Sequence, residues 1–213
     1  MSTVLSPAAI DEMLATRLRR EREARSWTLV DLAARSGVSR AMISKIERGE
    51  ASPTAALLGR LSAAFELTLS QLFAPPEARP ESRIARAHEQ TLWQDPETGF
   101  LRRSISPPGA GSLELVWGEL PPNAEIAYPA ASLAFIADQQ VVVIAGDLSI
   151  VLGHEVHALS SGDCLRFGSP EDVIFRNPGA ARCRYLVAVV RKSAGVDSGS
   201  KNSAWSTQNQ SLE

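Results

Sequence analysis

A proline-rich segment divides this chain into two parts whose patterns of apolar residues differ. Residues 74–82 read Ala-Pro-Pro-Glu-Ala-Arg-Pro-Glu-Ser, and proline removes backbone donors and prevents a helix from continuing. Before this segment apolar residues recur at helical spacing, and after it come short β-rich runs separated by turn residues. The length of 213 residues also suits two modest domains. The sequence therefore predicts a helical domain, a linker over residues 74–88 and an all-β domain.

The boundaries of these parts follow from composition. Residues 14–73 carry the helical spacing, and we expect the preceding residues 1–13 to form a flexible N-terminal segment. Residues 89–192 carry the β-rich runs, and residues 193–213 are rich in Ser, Asn and Gln, which predicts a disordered tail. Many short strands separated by turns are typical of a sandwich or barrel. The predicted fold class is therefore α+β in two domains. Strands are expected at residues 111–120, 141–152, 164–167, 173–176 and 183–190.

Composition narrows the class of protein further. No apolar run approaches the roughly 20 residues that cross a bilayer, and the N-terminus lacks the pattern of an export signal. We therefore expect a cytoplasmic protein without a membrane partner. Cys164 and Cys183 are the two cysteines and form no CxxC motif, so both are expected to be core thiols in a reducing compartment. A redox-sensing pair remains an alternative for these two residues.

The formal charge of the whole chain hides an uneven distribution. The total of −2 at pH 7 argues by itself against a nucleic-acid partner. Residues 1–74, however, carry ten Lys or Arg against eight Asp or Glu, a net charge of +2, whereas the rest carries twelve against sixteen, a net charge of −4. The helical part is the basic part of the chain.

Residues 28–49 carry the strongest motif, two short helices joined by a tight turn. Thr28 is suited to cap the first helix, with Asp31 in its first turn, and Gly37 stands where a left-handed backbone is least costly. Ser39 is suited to cap the second helix. The apolar residues Met42, Ile43 and Ile46 then form one stripe. The opposite face, free to enter a groove, presents Arg40, Ala41, Ser44, Lys45 and Arg48.

The flanks of this motif carry a family resemblance. By itself the motif is equally consistent with a helical hairpin whose charged face is solvated. An arginine-rich helix is expected before it at residues 14–25, and two more helices follow at residues 55–65 and 70–73. Over five helices the chain resembles the DNA-binding domain of phage-repressor-type, or XRE-class, regulators, which has the lambda-repressor-like fold. The resemblance implies double-stranded DNA as a partner.

The resemblance also implies roles for individual residues. In this family the early residues of the second helix of the motif contact base edges in the major groove. Base contacts are thereby expected from Arg40, Ala41, Ser44 and Lys45. Phosphate contacts are expected from Thr28, Ser39 and Arg48. Arg22 and Glu47 match a partly buried ion pair with a structural role, which ties the first helix to the recognition helix.

The β-rich part resembles the cupin family, a double-stranded β-helix barrel. Gly146, Gly162 and Asn177 hold the turn positions of its two motifs. Cupins usually hold a metal with His-x-His, a Glu and a later His. Here the matching positions hold no good metal ligand, so no metal and no other cofactor is expected. The residues at these positions are Leu133, Phe135, Gln139 and Val173, which are expected with Trp117 to line an effector pocket.

The remaining histidines and a second tryptophan receive ordinary structural interpretations. His154 and His157 flank a predicted hairpin turn and are expected to be solvated rather than metal ligands, and His88 follows the linker. Trp93 is either a core aromatic or a second pocket residue, and a core position is the commoner one.

These observations predict a sequence-specific transcriptional regulator rather than an enzyme. We expect a homodimer that places two recognition helices on a palindromic operator, with half-sites about 34–36 Å apart. Repression is the default, because occluding an operator needs no further contact surface, and a small molecule in the barrel is the expected effector. Two alternatives stay open: a barrel that only dimerises, and a cupin enzyme fused to a DNA-binding domain, for which a paired acid and base are lacking.

Overall fold

The structure is a computed structural model that describes residues 7–74, 83–107 and 111–192. The predicted tail, residues 193–213, and residues 75–82 of the predicted linker lie outside these ranges. None of the described helices has the length and apolarity needed to cross a membrane. The helical part consists of α1 (Pro7–Ala24), α2 (Leu29–Ser36), α3 (Arg40–Glu47), α4 (Ala55–Phe65) and α5 (Leu69–Leu72).

The first helix begins earlier than the sequence predicts. Residues 1–13 were expected to be a flexible segment, but α1 already starts at Pro7. The physical reason is that Ile10 extends the apolar stripe of Leu14 and Leu18 by one turn, and all three side chains are buried. Proline is also favoured in the first turn of a helix, where its missing N–H costs no hydrogen bond. Residues 1–6 lie outside the described part of the chain.

Polar caps and a left-handed turn define the ends of the short helices. Thr28 accepts from the backbone N–H of Asp31, whose carboxylate accepts from the backbone N–H of Thr28, so the two residues form a capping box. Ser39 accepts from the N–H of Met42 at the start of α3. Gly37 closes α2 with φ of 66°, a left-handed conformation that favours glycine. These local contacts set the angle at which α3 leaves α2.

Ten antiparallel strands form the second part, as two sheets that face each other. One sheet has six strands in the order β1-β2-β3-β10-β5-β8, and the other has four in the order β4-β9-β6-β7. A five-helix domain followed by an all-β domain confirms the predicted fold class. The strands are β1 (Leu92–Gln94), β2 (Leu101–Ser104), β3 (Leu113–Leu120), β4 (Glu125–Tyr128), β5 (Ile136–Ala145), β6 (Leu148–Leu152), β7 (Glu155–Leu159), β8 (Cys164–Arg166), β9 (Val173–Arg176) and β10 (Cys183–Arg191).

The sequence pattern found six of these ten strands and joined two of the six into one run. The run at residues 141–152 contains β5 and β6, which are separated by a hairpin at Gly146 with φ of 83°. Four strands were not predicted: β1, β2, β4 and β7. They are three to five residues long, and alternation over so few residues is a weak signal for a strand.

The helical domain packs directly onto the barrel. The ring of Phe73 lies 5.5 Å from that of Trp93, which is buried and serves as a core aromatic between the two parts. A second contact joins the guanidinium of Arg102 to the hydroxyl of Ser70 at 2.8 Å. The backbone N–H of Ala55, at the start of α4, donates to Asp95 at 2.9 Å. The two domains therefore share buried apolar and polar contacts.

The two cysteines differ in environment. Cys183 is buried at the start of β10, whereas Cys164 is exposed on β8. The expectation that both thiols lie in the core is therefore wrong for Cys164, because β8 is an edge strand of the six-stranded sheet and this residue points to solvent. Both thiols are free. Burial raises the pKa of the Cys183 thiol to about 11.

Candidate DNA-binding surface and barrel cavity

Helix α3 separates a buried face from an exposed one. Ile43 and Ile46 pack into the helical core, together with Val38 from the preceding turn. Because a helix places residues three and four apart on one side, the polar residues between them face outward. Of the residues predicted to contact bases, Arg40, Ala41 and Lys45 are exposed and Ser44 is half-buried, and all four lie on α3. The helix thus presents two cations, a methyl group and a hydroxyl on one surface.

An ion pair fixes the end of this helix against α1. The guanidinium of Arg22 donates to both carboxylate oxygens of Glu47, through Nε and an Nη at 2.8 Å each. Its other Nη donates to the carbonyl of Trp27 at 2.9 Å. The side chains are 13% and 7% exposed, so solvent screens the pair weakly. The hydrogen bonds that Arg22 donates to Glu47 raise the pKa of Arg22. A bidentate pair of this kind holds orientation as well as charge.

The residues predicted to contact phosphates lie at the ends of α2 and α3, and all three are exposed. Thr28 and Ser39 are the N-caps of these helices, where free backbone N–H groups and the helix dipole favour an anion. Arg48 follows α3. Its guanidinium is held by Glu50, with two contacts of 2.6 Å, and it also donates to Ser44. A phosphate at Arg48 would therefore compete with the carboxylate of Glu50.

Sequence reasoning missed an aromatic and cationic cluster beside this surface. The rings of Trp27 and Phe65 stack at 5.8 Å with an interplanar angle of 11°. The guanidinium of Arg35 lies 4.4 Å from the Trp27 ring centroid, and that of Arg25 lies near both rings. The one signal in the sequence was an isolated Trp before the cap of α2. The cluster joins the loop before α2 to the end of α4.

The second candidate site is a cavity of about 100 Å³ between the two sheets of the barrel. Its lining includes Leu133, Phe135, Gln139 and Val173, so the structure brings together four of the five predicted pocket residues. Trp117 is the exception, and its prediction as a pocket residue is wrong. Other residues of the lining come from β2, β3, β4, β9, β10 and the helical domain, and among them are Arg102, Glu114, Val116, Phe175, Tyr185 and Val187.

The alternation of β3 explains the position of Trp117. Its neighbours Val116 and Gly118 are buried and face the inside of the barrel, so Trp117 lies on the outer face. There its indole N–H donates to Glu119 at 3.1 Å. Counting positions along the chain did not reveal the register of this strand. The next residue, Gly118, has no room for a side chain. A Cβ at this position would lie 2.5 Å from a ring atom of Tyr185.

The histidines lie apart from the cavity. His154 is in the turn between β6 and β7, His157 is on β7 at 3.5 Å from Glu155, and His88 is exposed near Glu89. Within residues 7–74, 83–107 and 111–192, no group of three or more His, Cys, Asp or Glu side chains is arranged to hold a metal ion.

Comparisons with known proteins agree with this organisation. The helix-turn-helix family HTH_3 matches residues 18–72. The HTH-type transcriptional regulator SutR of Escherichia coli (strain K12) is 30% identical over 171 residues, which are 78% of this chain and 88% of that protein.

One solved structure matches the fold along most of the chain. An HTH_3 family transcriptional regulator from Vibrio cholerae superposes with a TM-score of 0.72 at 23% identity, over 88% of this chain and 99% of that one. The Cupin_2 domain of an XRE family transcriptional regulator from Enterobacter cloacae covers 44% of this chain and 97% of that domain, with 18% identity and a TM-score of 0.40. With its helix-turn-helix domain and its relationship to SutR along most of both chains, this protein belongs to the family of HTH-type transcriptional regulators.

Proposed function

We propose that this regulator reads a specific DNA sequence with α3. Arg40 and Lys45 donate to guanine, the hydroxyl of Ser44 either donates to or accepts from a base edge, and Ala41 contacts a thymine methyl. The phosphates are held by Thr28, Ser39 and Arg48. The observation that carries the proposal is the exposed polar face of α3, whose opposite face is packed into the core and whose end is held by Arg22 and Glu47. A rigid helix with a free polar face suits the major groove.

The proposal includes a homodimer on a palindromic operator. One helix-turn-helix domain reads a single half-site, and two-fold symmetry of the protein is matched by two-fold symmetry of the DNA. The protein then acts in the cytoplasm, where it has access to DNA, and represses by occluding a promoter. The net charge of +2 over residues 1–74 supports DNA contact by the helical domain.

The barrel is proposed to hold a small effector and not to serve dimerisation alone. The supporting observation is its cavity of about 100 Å³, since one water needs roughly 10–15 Å³ of such space. A barrel used only for dimerisation could fill its interior with side chains. The alternative of an enzyme is less well supported, because Leu133, Phe135 and Val173 occupy lining positions where a cupin enzyme would use metal-binding histidines.

Genomic fragments bound by the purified protein test this function. We expect sequencing of the bound DNA to recover a palindromic site, and we expect the variant with Arg40→Ala and Lys45→Ala to lose it. The matched control is Arg60→Ala, which removes an exposed arginine of α4 outside the proposed surface and should leave recovery unchanged. Uniform recovery across the genome, or an unchanged site in the double variant, would show that α3 does not read the sequence.

A further inference from the structure

The DNA-binding domain forms part of the wall of the barrel cavity. Its lining includes Gly59 and Ser62 of α4 and Thr68 and Leu69 at the start of α5. Of these two helices, α4 packs on β4 and on the short 3-10 helix Ala130–Leu133. A molecule in the cavity would therefore touch both domains.

A buried cation without a carboxylate partner lies in this cavity. Arg102 is 6% exposed, and its guanidinium donates to Ser104 at 2.9 Å and to Ser70 at 2.8 Å. Within the described part of the chain no carboxylate forms a salt bridge with it. Burial lowers the pKa of Arg102, yet an arginine stays charged in proteins. A buried charge is costly unless it is paired, so this position favours an incoming anion.

The other charged group of the lining is already neutralised. Glu114 lies 3.2 Å from the guanidinium of Arg191 and accepts a hydrogen bond of 2.9 Å from Thr68. Glu114 also acts electrostatically on Arg102, so the guanidinium groups of Arg102 and Arg191 share one carboxylate. The charge of Arg102 is therefore only partly balanced, which favours an anion over a cation.

Two neutral polar atoms of the lining also lack partners. The side-chain oxygen of Gln139 and the hydroxyl of Tyr185 are buried, and neither has a hydrogen-bond partner among the described residues. Burial raises the pKa of Tyr185, so its hydroxyl stays protonated and can donate. Buried polar groups are almost always hydrogen-bonded in proteins. The apolar side chains of Val116, Phe175 and Val187 complete the wall.

We propose that the cavity binds a small organic acid as its anion. The guanidinium of Arg102 is the charge partner, Tyr185 and Gln139 meet polar groups of the ligand, and the apolar wall takes its carbon skeleton. This inference rests on the proposed function, because it names the ligand class of the effector. The purely structural alternative is that Arg102 only joins the domains through Ser70 and its contact with the ring of Phe73, whose centroid lies 5.3 Å away.

Calorimetric titration of the full-length protein tests the ligand class. The probes are butanoate, hexanoate and benzoate, each beside its amide and the primary amine with the same skeleton. We expect at least one acid to bind, and its amide and amine to bind at least about tenfold more weakly, since hydrogen bonds to a charged group are the stronger ones. Binding of no acid, or equal binding of the amide or the amine, would overturn the proposal.

Variants separate the ligand role of Arg102 from its structural role. We expect Arg102→Met, which keeps the volume and removes the charge, to abolish the preference for the acid. Ser70→Ala removes the interdomain hydrogen bond and leaves the guanidinium, so it should preserve the preference. Should Arg102→Met fail to fold by circular dichroism, Gln139→Leu serves instead and should weaken acid binding. Equal loss in Ser70→Ala, or unchanged binding in Arg102→Met or Gln139→Leu, contradicts the proposal.

Measuring operator binding with the same protein preparations separates the claim about the cavity ligand from the claim that α3 reads DNA. A protein that recovers a palindromic site but binds none of the acids disproves the ligand class and leaves the regulator intact. A protein that binds an acid through Arg102 but recovers no specific DNA site supports the cavity and contradicts the proposed function of α3.

Discussion

At the scale of single residues, charge partners decide which side chains are available to DNA. Arg40 and Lys45 are exposed on α3, whereas Arg48 is held by Glu50 and donates to Ser44. The sequence motif places these four side chains on one face of α3. It does not reveal that Glu50 holds Arg48, because Glu50 lies beyond the end of the helix. If Arg48 binds a phosphate, the carboxylate of Glu50 competes with that phosphate for the same guanidinium.

Removing the carboxylate of Glu50 should therefore strengthen DNA binding. We expect Glu50→Gln to tighten binding roughly 1.5- to 5-fold at low salt, because an exposed ion pair no longer has to be broken. Fluorescence anisotropy with a labelled duplex measures this. The matched control is Glu125→Gln, which breaks a similar exposed pair with Arg176 on the barrel. Equal tightening in both variants would point to overall charge and not to the release of Arg48.

The two thiols should differ in reactivity. The pKa of about 11 for Cys183 leaves little thiolate at pH 8, and the side chain is also buried, whereas Cys164 is exposed. We expect iodoacetamide at pH 8 to label one thiol per folded chain and two after denaturation, as counted by mass spectrometry. Because the raised pKa keeps the thiol protonated, labelling of Cys183 should grow only as the pH approaches 11. Two fast thiols in the native protein would contradict this description.

At the scale of helices and strands, local signals were predictable and register was not. The caps Thr28 and Ser39 and the left-handed Gly37 are readable, because each acts within four residues of its own position. The start of α1 was missed, since a single residue, Ile10, adds its first buried turn. Trp117 was assigned to the wrong face, because a shift of one position reverses every side chain of a strand.

The contact between α4 and β4 gives a prediction at this scale. A Cβ at Gly59 would lie 2.8 Å from a ring atom of Tyr128. Alanine favours a helix over glycine by about 1 kcal/mol, but overpacking costs about 1–3 kcal/mol. We therefore expect Gly59→Ala to lower the free energy of unfolding, as measured by urea denaturation.

Gly168→Ala is the matched control for this substitution. A Cβ at Gly168 meets nothing within 4 Å, so the free energy of unfolding should change by less than about 0.5 kcal/mol. A Gly59→Ala variant that is as stable as the parent or more stable would show that Tyr128 moves aside and that the contact between the domains is loose.

At the scale of the whole molecule, the arrangement of the domains links the cavity to the DNA-binding helices. Contacts such as Arg102 with Ser70, and Thr68 with Glu114, join residues 32 and 46 positions apart. No local pattern reveals pairs at such separations, so the sequence predicted two domains and a pocket but not the helices that contribute to its wall. A ligand changes DNA affinity only by its difference in affinity between two arrangements of these domains.

The central claim is that α3 reads bases while the residues at the helix ends hold phosphates. Its most direct test is the affinity of Arg40→Ala and Arg48→Ala for the operator and for a scrambled duplex, across a series of salt concentrations. We predict that Arg40→Ala loses about 1–3 kcal/mol on the operator and little on the scrambled duplex, which lowers specificity. Arg48→Ala should weaken both complexes equally and reduce the salt slope by about one. Equal losses on both duplexes for Arg40→Ala would contradict the account.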